Sequence, residues 1–506
     1  MPTASEAYAE LVRRSREVAL VHSCSAVLGW DQQTYMPRGG ANLRGDQLAL
    51  LAGVGHQKAT AAVIGELLHQ VEGSSVVADP ESIEAANVRE LRHGYDRATK
   101  LPARLVEELA RVTTLAQEVW QEARAKNQFG SFRPLLEQIL ALKREEAAAV
   151  GFKEHPYDAL LDEYEPGATA AGVRVVFAEL EKELVPLIRA AAEKAPSPTN
   201  VLSRDFPVDR QKWFAESAAV ALGFDFQNGR LDTTTHPFCS AFGPGDCRLT
   251  TRYNPRFFNE AFFGVLHEAG HGMYEQGLPA AHFGTPVGTY CSLGIHESQS
   301  RFWENQIGRS KPFWDHFYPR LKQAFPGSLT EVSSEQFLSA VNEVKPSFIR
   351  VEADEATYNL HILLRFELEL SLLSGDLAVA DLPGAWNERF AKLFGMTPLS
   401  DANGCLQDIH WSFGGFGYFP TYTLGNLYAA QFGEAVRADY GAAEIARSVR
   451  VGDFRPVLGW LRDRVHRHGR RYRAQDLCRR ATGAELSPAP FLRYLREKLS
   501  QPELVC

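Results

Sequence analysis

Several features that would place the chain in a specialised class are missing or scarce. It has 506 residues but only seven cysteines, at 24, 239, 247, 291, 405, 478 and 506, and no CxxC pair. An odd, scattered set of this kind excludes a disulfide framework and points to reduced thiols in a cytoplasmic protein. No run of about 18 apolar residues occurs, and the N-terminal MPTASEAYAELVRRSREV lacks the apolar stretch of a secretory signal. Neither a membrane partner nor export is therefore expected. Basic residues are not in excess: 54 Lys and Arg stand against 62 Asp and Glu, for a net charge of −8 and a pI near 6.1. A nucleic-acid partner is not expected from that balance. The one basic tract, RDRVHRHGRRYR at 462–473, reads as a solvated helix face. There is no internal repeat and no low-complexity tract.

What remains is an ordinary soluble composition, 45% hydrophobic and 23% charged. The length allows two or three domains, but large helical enzymes also form one body. We expect a single catalytic domain over 1–506, in which the helical region 1–200 forms one wall of a deep groove. Apolar residues recur at helical spacing over 5–28, from about Asn42, and over 102–126, 132–151, 172–195 and 209–222. They recur again over 334–344, 351–374, 383–394, 424–438, 441–450 and 457–468. A Pro/Ser linker is expected at 195–200. The stretch 229–253 differs: Thr, Phe and Arg alternate between Gly and Pro breaks, the pattern of short strands. The expected fold is mainly α with a small antiparallel β-sheet beside the active site. A free edge of such a sheet can hydrogen-bond to the backbone of an extended peptide.

The most informative stretch is GVLHEAGHGMYEQG at 264–277. His267 and His271 are four residues apart, and on a helix they lie on one face, so both imidazoles can meet one cation. Glu268 is rotated about 100° from His267, beside the cation, where its carboxylate can take a proton from an attacking water. Phe258, Phe262, Val265, Leu266 and Met273 supply the apolar stripe of such a helix. Gly270 and Gly272 each weaken it by about 1 kcal/mol relative to Ala, which implies close packing there. His-Glu-x-x-His on a helix is the signature of a zinc hydrolase. A catalytic zinc takes three protein ligands and keeps one position open. HESQSR at 296–301 offers the third: either His296 or Glu297 could ligate. Glu297 is the expected choice because two His and one Glu is the commoner set.

Other residues read less sharply. Asp246 and Arg248 in DCRLT point to one side of a presumed strand, where a surface ion pair is an equal reading. Arg350 could clamp a carboxylate bidentately, or simply pair with Glu352, Asp354 or Glu355 in the first turn of the helix that follows. His410 sits beside Trp411 before a Gly-rich loop, GFGYFPTYTLG, that offers Tyr418 and Tyr422. Such loops often bind ligands, although a lone Tyr more often packs. His236 in THPF is similarly ambiguous.

THPF, DCRLT, HEAGH, HESQSR, IRVEAD and GCLQDIHW occur in that order, with LGWDQQTYMP and YDALLDEYEPG upstream. Together they resemble the carboxypeptidase Taq family of thermostable metallocarboxypeptidases, over nearly the whole chain and with no departure in these motifs. More distantly, HEAGH followed by His-Glu-Ser is similar to the angiotensin-converting-enzyme and neurolysin group. The resemblance implies a helical fold with a long groove closed at one end. It also implies metal ligands at His267, His271 and Glu297 and a general base at Glu268. Substrate-carboxylate recognition falls on Arg350, with Arg248 and His410 lining the same end. A donor to the oxyanion maps on Tyr422, with Tyr418 the second choice. The expectation is a cytoplasmic, homodimeric, zinc-dependent carboxypeptidase of broad specificity. One Zn2+ is expected per chain, with Co2+ or another divalent ion as the alternative. The competing expectation is an endo-oligopeptidase of the same helical group.

Overall fold

In this computed structural model the described residues are 3–193 and 200–500. The linker expected at 195–200 thus lies, apart from Asn200, outside the described residues. The first helix, Ala4–Thr34, starts at a capping box in which Thr3 and Glu6 exchange hydrogen bonds. It runs six residues past the expected end because Gly29 alone does not break it and the next proline is Pro37. This helix packs with Ala41–Ala59 and Ala62–Val71. Ala7, Leu11, Ile64, Leu67, Leu68, Val71 and Val88 form a small core of their own there. The main core is separate and stretches from Val112 to Leu495.

Its centre lies beside the helix Phe258–Glu275, which carries HEAGH. The apolar stripe anticipated for that helix is buried: Phe258 and Phe262 stack at 5.0 Å, and Phe262 meets Trp314 at 5.3 Å. Aromatic contacts of this kind add to the stabilisation from burial itself. A histidine pair placed on the same helix is thereby held by a rigid support.

The three strands are β1 (Gly229–Thr233), β2 (Cys239–Gly243) and β3 (Asp246–Thr251). The sheet is mixed, not wholly antiparallel as expected. Its order is β1-β3-β2, with β1 parallel to β3 and β2 antiparallel to β3. The reason is connectivity: β2 and β3 form a tight hairpin, and residues 234–238 carry the chain from β1 to the far edge. β3 therefore lies in the middle and runs in the direction of β1.

Two further helices complete the frame. Leu293–Arg301, capped by Ser292, carries HESQSR and continues into a π-helical turn, Phe302–Ile307. It crosses the HEAGH helix at Gly270, where a Cβ would stand 2.5 Å from the Gln299 carbonyl oxygen. On its other side passes Pro420–Tyr440, and a Cβ on Gly425 would stand 2.6 Å from Glu297 Cβ. Both separations are too short for any side chain, so glycine is required at each crossing.

Two expectations about the C-terminal half change. The helix expected from 351 begins at Tyr358. Before it, Arg350–Glu352 is a single 3-10 turn, and Asp354 accepts from the N–H groups of Ala356 and Thr357. Asp354 thus closes the turn that leads into the helix instead of pairing with Arg350. The helix expected from 424 begins at Pro420, which places Tyr422 in its first turn and not in a loop.

Candidate active site

Helical spacing brings the His267 and His271 rings to 4.9 Å between centroids. The neighbouring helix delivers Glu297, whose Oε2 lies 3.7 Å from His267 Nε2 and 3.5 Å from His271 Nε2. All three donor atoms fall within 4.8 Å of one another. A tetrahedral ion with ligands at about 2.0–2.2 Å spaces neighbouring donors by about 3.4 Å. The residues present therefore fit a divalent metal, with three protein donors and one position left for chemistry.

Each ligand is held from behind. The Nδ1–H of His267 donates to Glu304 Oε2 at 2.9 Å. His271 Nδ1 lies 2.5 Å from His296 Nδ1, and His296 Nε2 lies 2.8 Å from Glu275 Oε1. One tautomer assignment satisfies this chain: Glu275 accepts from His296 Nε2–H, and His296 Nδ1 accepts from His271 Nδ1–H. Both histidines then keep Nε2 free for a cation. His296, the alternative third ligand, stands behind His271. Arg301 donates from Nε to Glu297 Oε1 at 2.7 Å and from Nη1 to Glu304 Oε2 at 3.2 Å. Carboxylate backing of this sort orients metal-bound imidazoles and raises their basicity.

The electrostatics follow from burial and these partners. Burial lifts the Glu268 carboxyl to about 7, with His267 opposing the lift and the Glu297 and Glu304 charges adding to it. Burial and the neighbouring His296 push His271 down to about 3, so its imidazole stays neutral. Glu297 is held well below the usual carboxylate range: burial works the other way, but Arg301 and the two histidines outweigh it.

A second buried cluster is built on Arg350. Its Nε and Nη2 donate to Asp408 Oδ1 at 3.0 and 2.7 Å, and its Nη1 donates to the Tyr358 hydroxyl at 2.7 Å. The second Asp408 oxygen accepts from Arg365 Nε at 2.7 Å. Two guanidiniums thus share one carboxylate. The Tyr422 ring lies 5.1 Å from the Arg350 guanidinium carbon, and its hydroxyl lies 3.2 Å from His410 Nε2. Burial pushes His410 down to about 3 and the Tyr422 phenol well up. Both are therefore neutral hydrogen-bonding groups. Tyr418 stands 5.4 Å from Tyr422, ring to ring.

Tyr358 joins the two clusters. Its hydroxyl accepts from Arg350, and its ring lies under the Arg301 guanidinium at 4.4 Å. The loop that carries His410 and Tyr418 is fixed by Glu369. That carboxylate accepts from Tyr157 Oη and Trp411 Nε1, both at 2.8 Å, and from the Gly417 N–H at 3.2 Å. On the opposite side, a cavity of about 810 Å³ is lined by residues including Leu11, His22, Phe242, Glu275, Tyr290 and Arg470. Tyr290 lies 5.0 Å from the His296 ring, so the cavity reaches the residues behind His271.

Arg350, His410, Tyr418 and Tyr422 are thus together, and Tyr358 links them to the three donors. Arg248 is engaged elsewhere: both Asp246 oxygens accept from it at 2.8 Å, and its guanidinium lies over Trp30 at 4.3 Å. His236 is exposed on the connection between β1 and β2. Sequence reasoning missed Glu304, Asp408, Arg365 and Tyr358. Two of these had a signal. Glu304 lies seven residues, two helical turns, after Glu297, and Asp408 lies inside GCLQDIHW.

A model of the carboxypeptidase Taq (M32) metallopeptidases matches residues 10–499. Thermostable carboxypeptidase 1 of Thermus thermophilus is 48% identical over 98% of this chain and 99% of its own length. Carboxypeptidase 1 of Bacillus subtilis is 38% identical over 96% of this chain and 95% of its own. The crystal structure of an M32 carboxypeptidase from Deinococcus radiodurans R1 superposes with a TM-score of 0.95, at 41% identity. That match covers 98% of this chain and 99% of the other. With matches this long and this similar, the chain belongs to the carboxypeptidase Taq (M32) family and is a metallocarboxypeptidase, a hydrolase of C-terminal peptide bonds.

Proposed function

We propose that the enzyme uses zinc, held by His267, His271 and Glu297, to remove residues one at a time from peptides with a free C-terminus, with broad specificity. One observation carries the reading: a three-donor centre and a buried cluster with an excess of positive charge lie side by side, joined through Tyr358. Two imidazoles and a carboxylate suit zinc, with Co2+ or another divalent ion as the alternative. When bound, the ion supplies Lewis acidity toward the attacking water and the scissile carbonyl.

The chain's own groups do the rest. Glu268 takes a proton from the attacking water and delivers it to the leaving amine. The Tyr422 hydroxyl, or His410 beside it, donates to the developing oxyanion, and one such donor is worth about 3–4 kcal/mol. Arg350 has five N–H groups and commits three of them to Asp408 and Tyr358. The remaining two are uncommitted and could serve a terminal carboxylate, whose charge would balance the second guanidinium. An uncharged mid-chain amide cannot do so and would leave a buried cation unpaired. The unpaired thiols support a reducing compartment. The cytoplasmic homodimer expected from the family resemblance belongs to the same reading.

The test is a pair of peptides, one with a free C-terminus and one amidated, followed by mass spectrometry together with metal analysis. Stepwise shortening of the free peptide, a loss of about 100-fold or more on the amide and one zinc per chain are expected. Equal cleavage of both peptides would favour the endo-oligopeptidase.

A further inference from the structure

Two cysteines that the catalytic arrangement does not use stand together on the sheet. In the β2–β3 register Cys239 opposes Leu249 and Cys247 opposes Ala241. Both thiols therefore project from one face as diagonal neighbours. Their sulfurs are 3.7 Å apart, well beyond the 2.05 Å or so of a disulfide, and both are free thiols. Cys247 Sγ also lies 3.8 Å from the Gly272 carbonyl oxygen, on the helix that carries HEAGH. Cys247 lines the 810 Å³ cavity, which gives an ion and its waters a way in.

We propose that Cys239 and Cys247 form a second cation site, which takes a soft, thiophilic dication between their two sulfurs. The spacing is the argument. Two thiolates bound at about 2.3 Å to a tetrahedral ion sit about 3.8 Å apart, close to the observed separation. No large strand movement is needed, and the Gly272 carbonyl, which also accepts from the Gln276 N–H at 2.9 Å, lies on the same side. Binding exchanges two thiol protons for one dication and involves no electron transfer. The adjacent Cys247 thiol, and then burial, hold the Cys239 thiol well above its ordinary value. Only cations that compete strongly with protons for sulfur will bind, which selects Cd2+ over Mg2+ or Ca2+. The site differs in kind from the two-histidine, one-carboxylate centre, which has no sulfur donor.

Cd2+ alone is the probe, titrated into the full-length enzyme after its catalytic centre has been filled with zinc. We expect one equivalent to produce thiolate-to-cadmium charge-transfer absorption in the ultraviolet. Displacement of the catalytic zinc cannot produce that band. Cys239→Ser and Cys247→Ser should each abolish it or weaken apparent affinity at least tenfold, and Cys24→Ser should leave it unchanged. If Cys247→Ser does not fold, Cys239→Ser and Cys239→Ala decide the matter, since Cys239 is only half-buried. A band that survives both Cys239 variants, that is lost with Cys24, or that fails to appear at stoichiometric Cd2+ overturns the proposal.

Discussion

The two halves of the active site carry opposite electrostatic surpluses. Around the metal donors, Glu297, Glu304 and Glu275 outnumber Arg301 and Arg309. Around Arg350, two guanidiniums share the single carboxylate of Asp408. Each half is tied together by hydrogen bonds, and each carries a surplus of its own sign. On the proposed reading the first would receive a cation and the second an anion. A peptide terminus between them would bring its carboxylate to one half and its last peptide bond to the other. Buried ion pairs contribute little net stability, so the arrangement is better understood as a pair of preformed sockets than as a stabilising network.

Four substitutions test that contrast, in order of expected effect. Glu268→Gln keeps the metal donors intact but removes the proton carrier. Turnover should fall by about 10² to 10⁴ while metal content measured by elemental analysis stays the same; normal turnover would remove Glu268 from the chemistry. Arg350→Met acts on the other half. Its loss should cost about 2–5 kcal/mol in kcat/KM on free-terminus peptides, with slow cleavage of an amidated peptide unchanged. Equal losses on both peptides would mean that the guanidinium does not read the terminus.

The third substitution, Glu304→Gln, weakens the backing of His267. A chelator competition should show metal affinity lower by about 10- to 100-fold, with near-normal turnover once metal is saturating. An unchanged affinity would show that the acidic surplus is incidental. The smallest effect concerns pH. Burial lifts both Glu165, which accepts from the Gly294 N–H at the start of the helix bearing Glu297, and Glu369 to about 7, from 4.5. The folded protein thus holds these protons more tightly than the unfolded chain. Their contribution to stability is complete below about pH 4.5 and is lost as pH rises through 7. Glu369→Gln should flatten that decline in Tm between pH 5 and 7.5, whatever its effect at a single pH. An unaltered slope would refute the assignment.

How much of this the sequence discloses depends on the range of the interaction. Helical periodicity is local, and most helices lie where the apolar spacing puts them. The i, i+4 pair His267 and His271 is legible for the same reason. Arg350 was legible as a residue but not in its setting. The acidic residues that follow it suggested a nearby ion pair, yet the partner is Asp408, 58 positions away. A bond between two distant segments leaves no spacing to read. Tyr358 is similar: nothing in its neighbours announces that it bridges two clusters. The sheet was legible as strands, but its mixed order depends on which edge the chain reaches after β1, which alternation does not encode. Arg248 shows the reverse case, where the plain reading of two residues on one side of a strand describes the observed contact with Asp246.

The helix that carries Glu297 is wedged between two backbones, with Gly270 against one flank and Gly425 against the other. In a survey of every single substitution, those two columns should be nearly blank, even for alanine. Positions that never touch a peptide would then limit this enzyme's evolution as strictly as the residues that bind one.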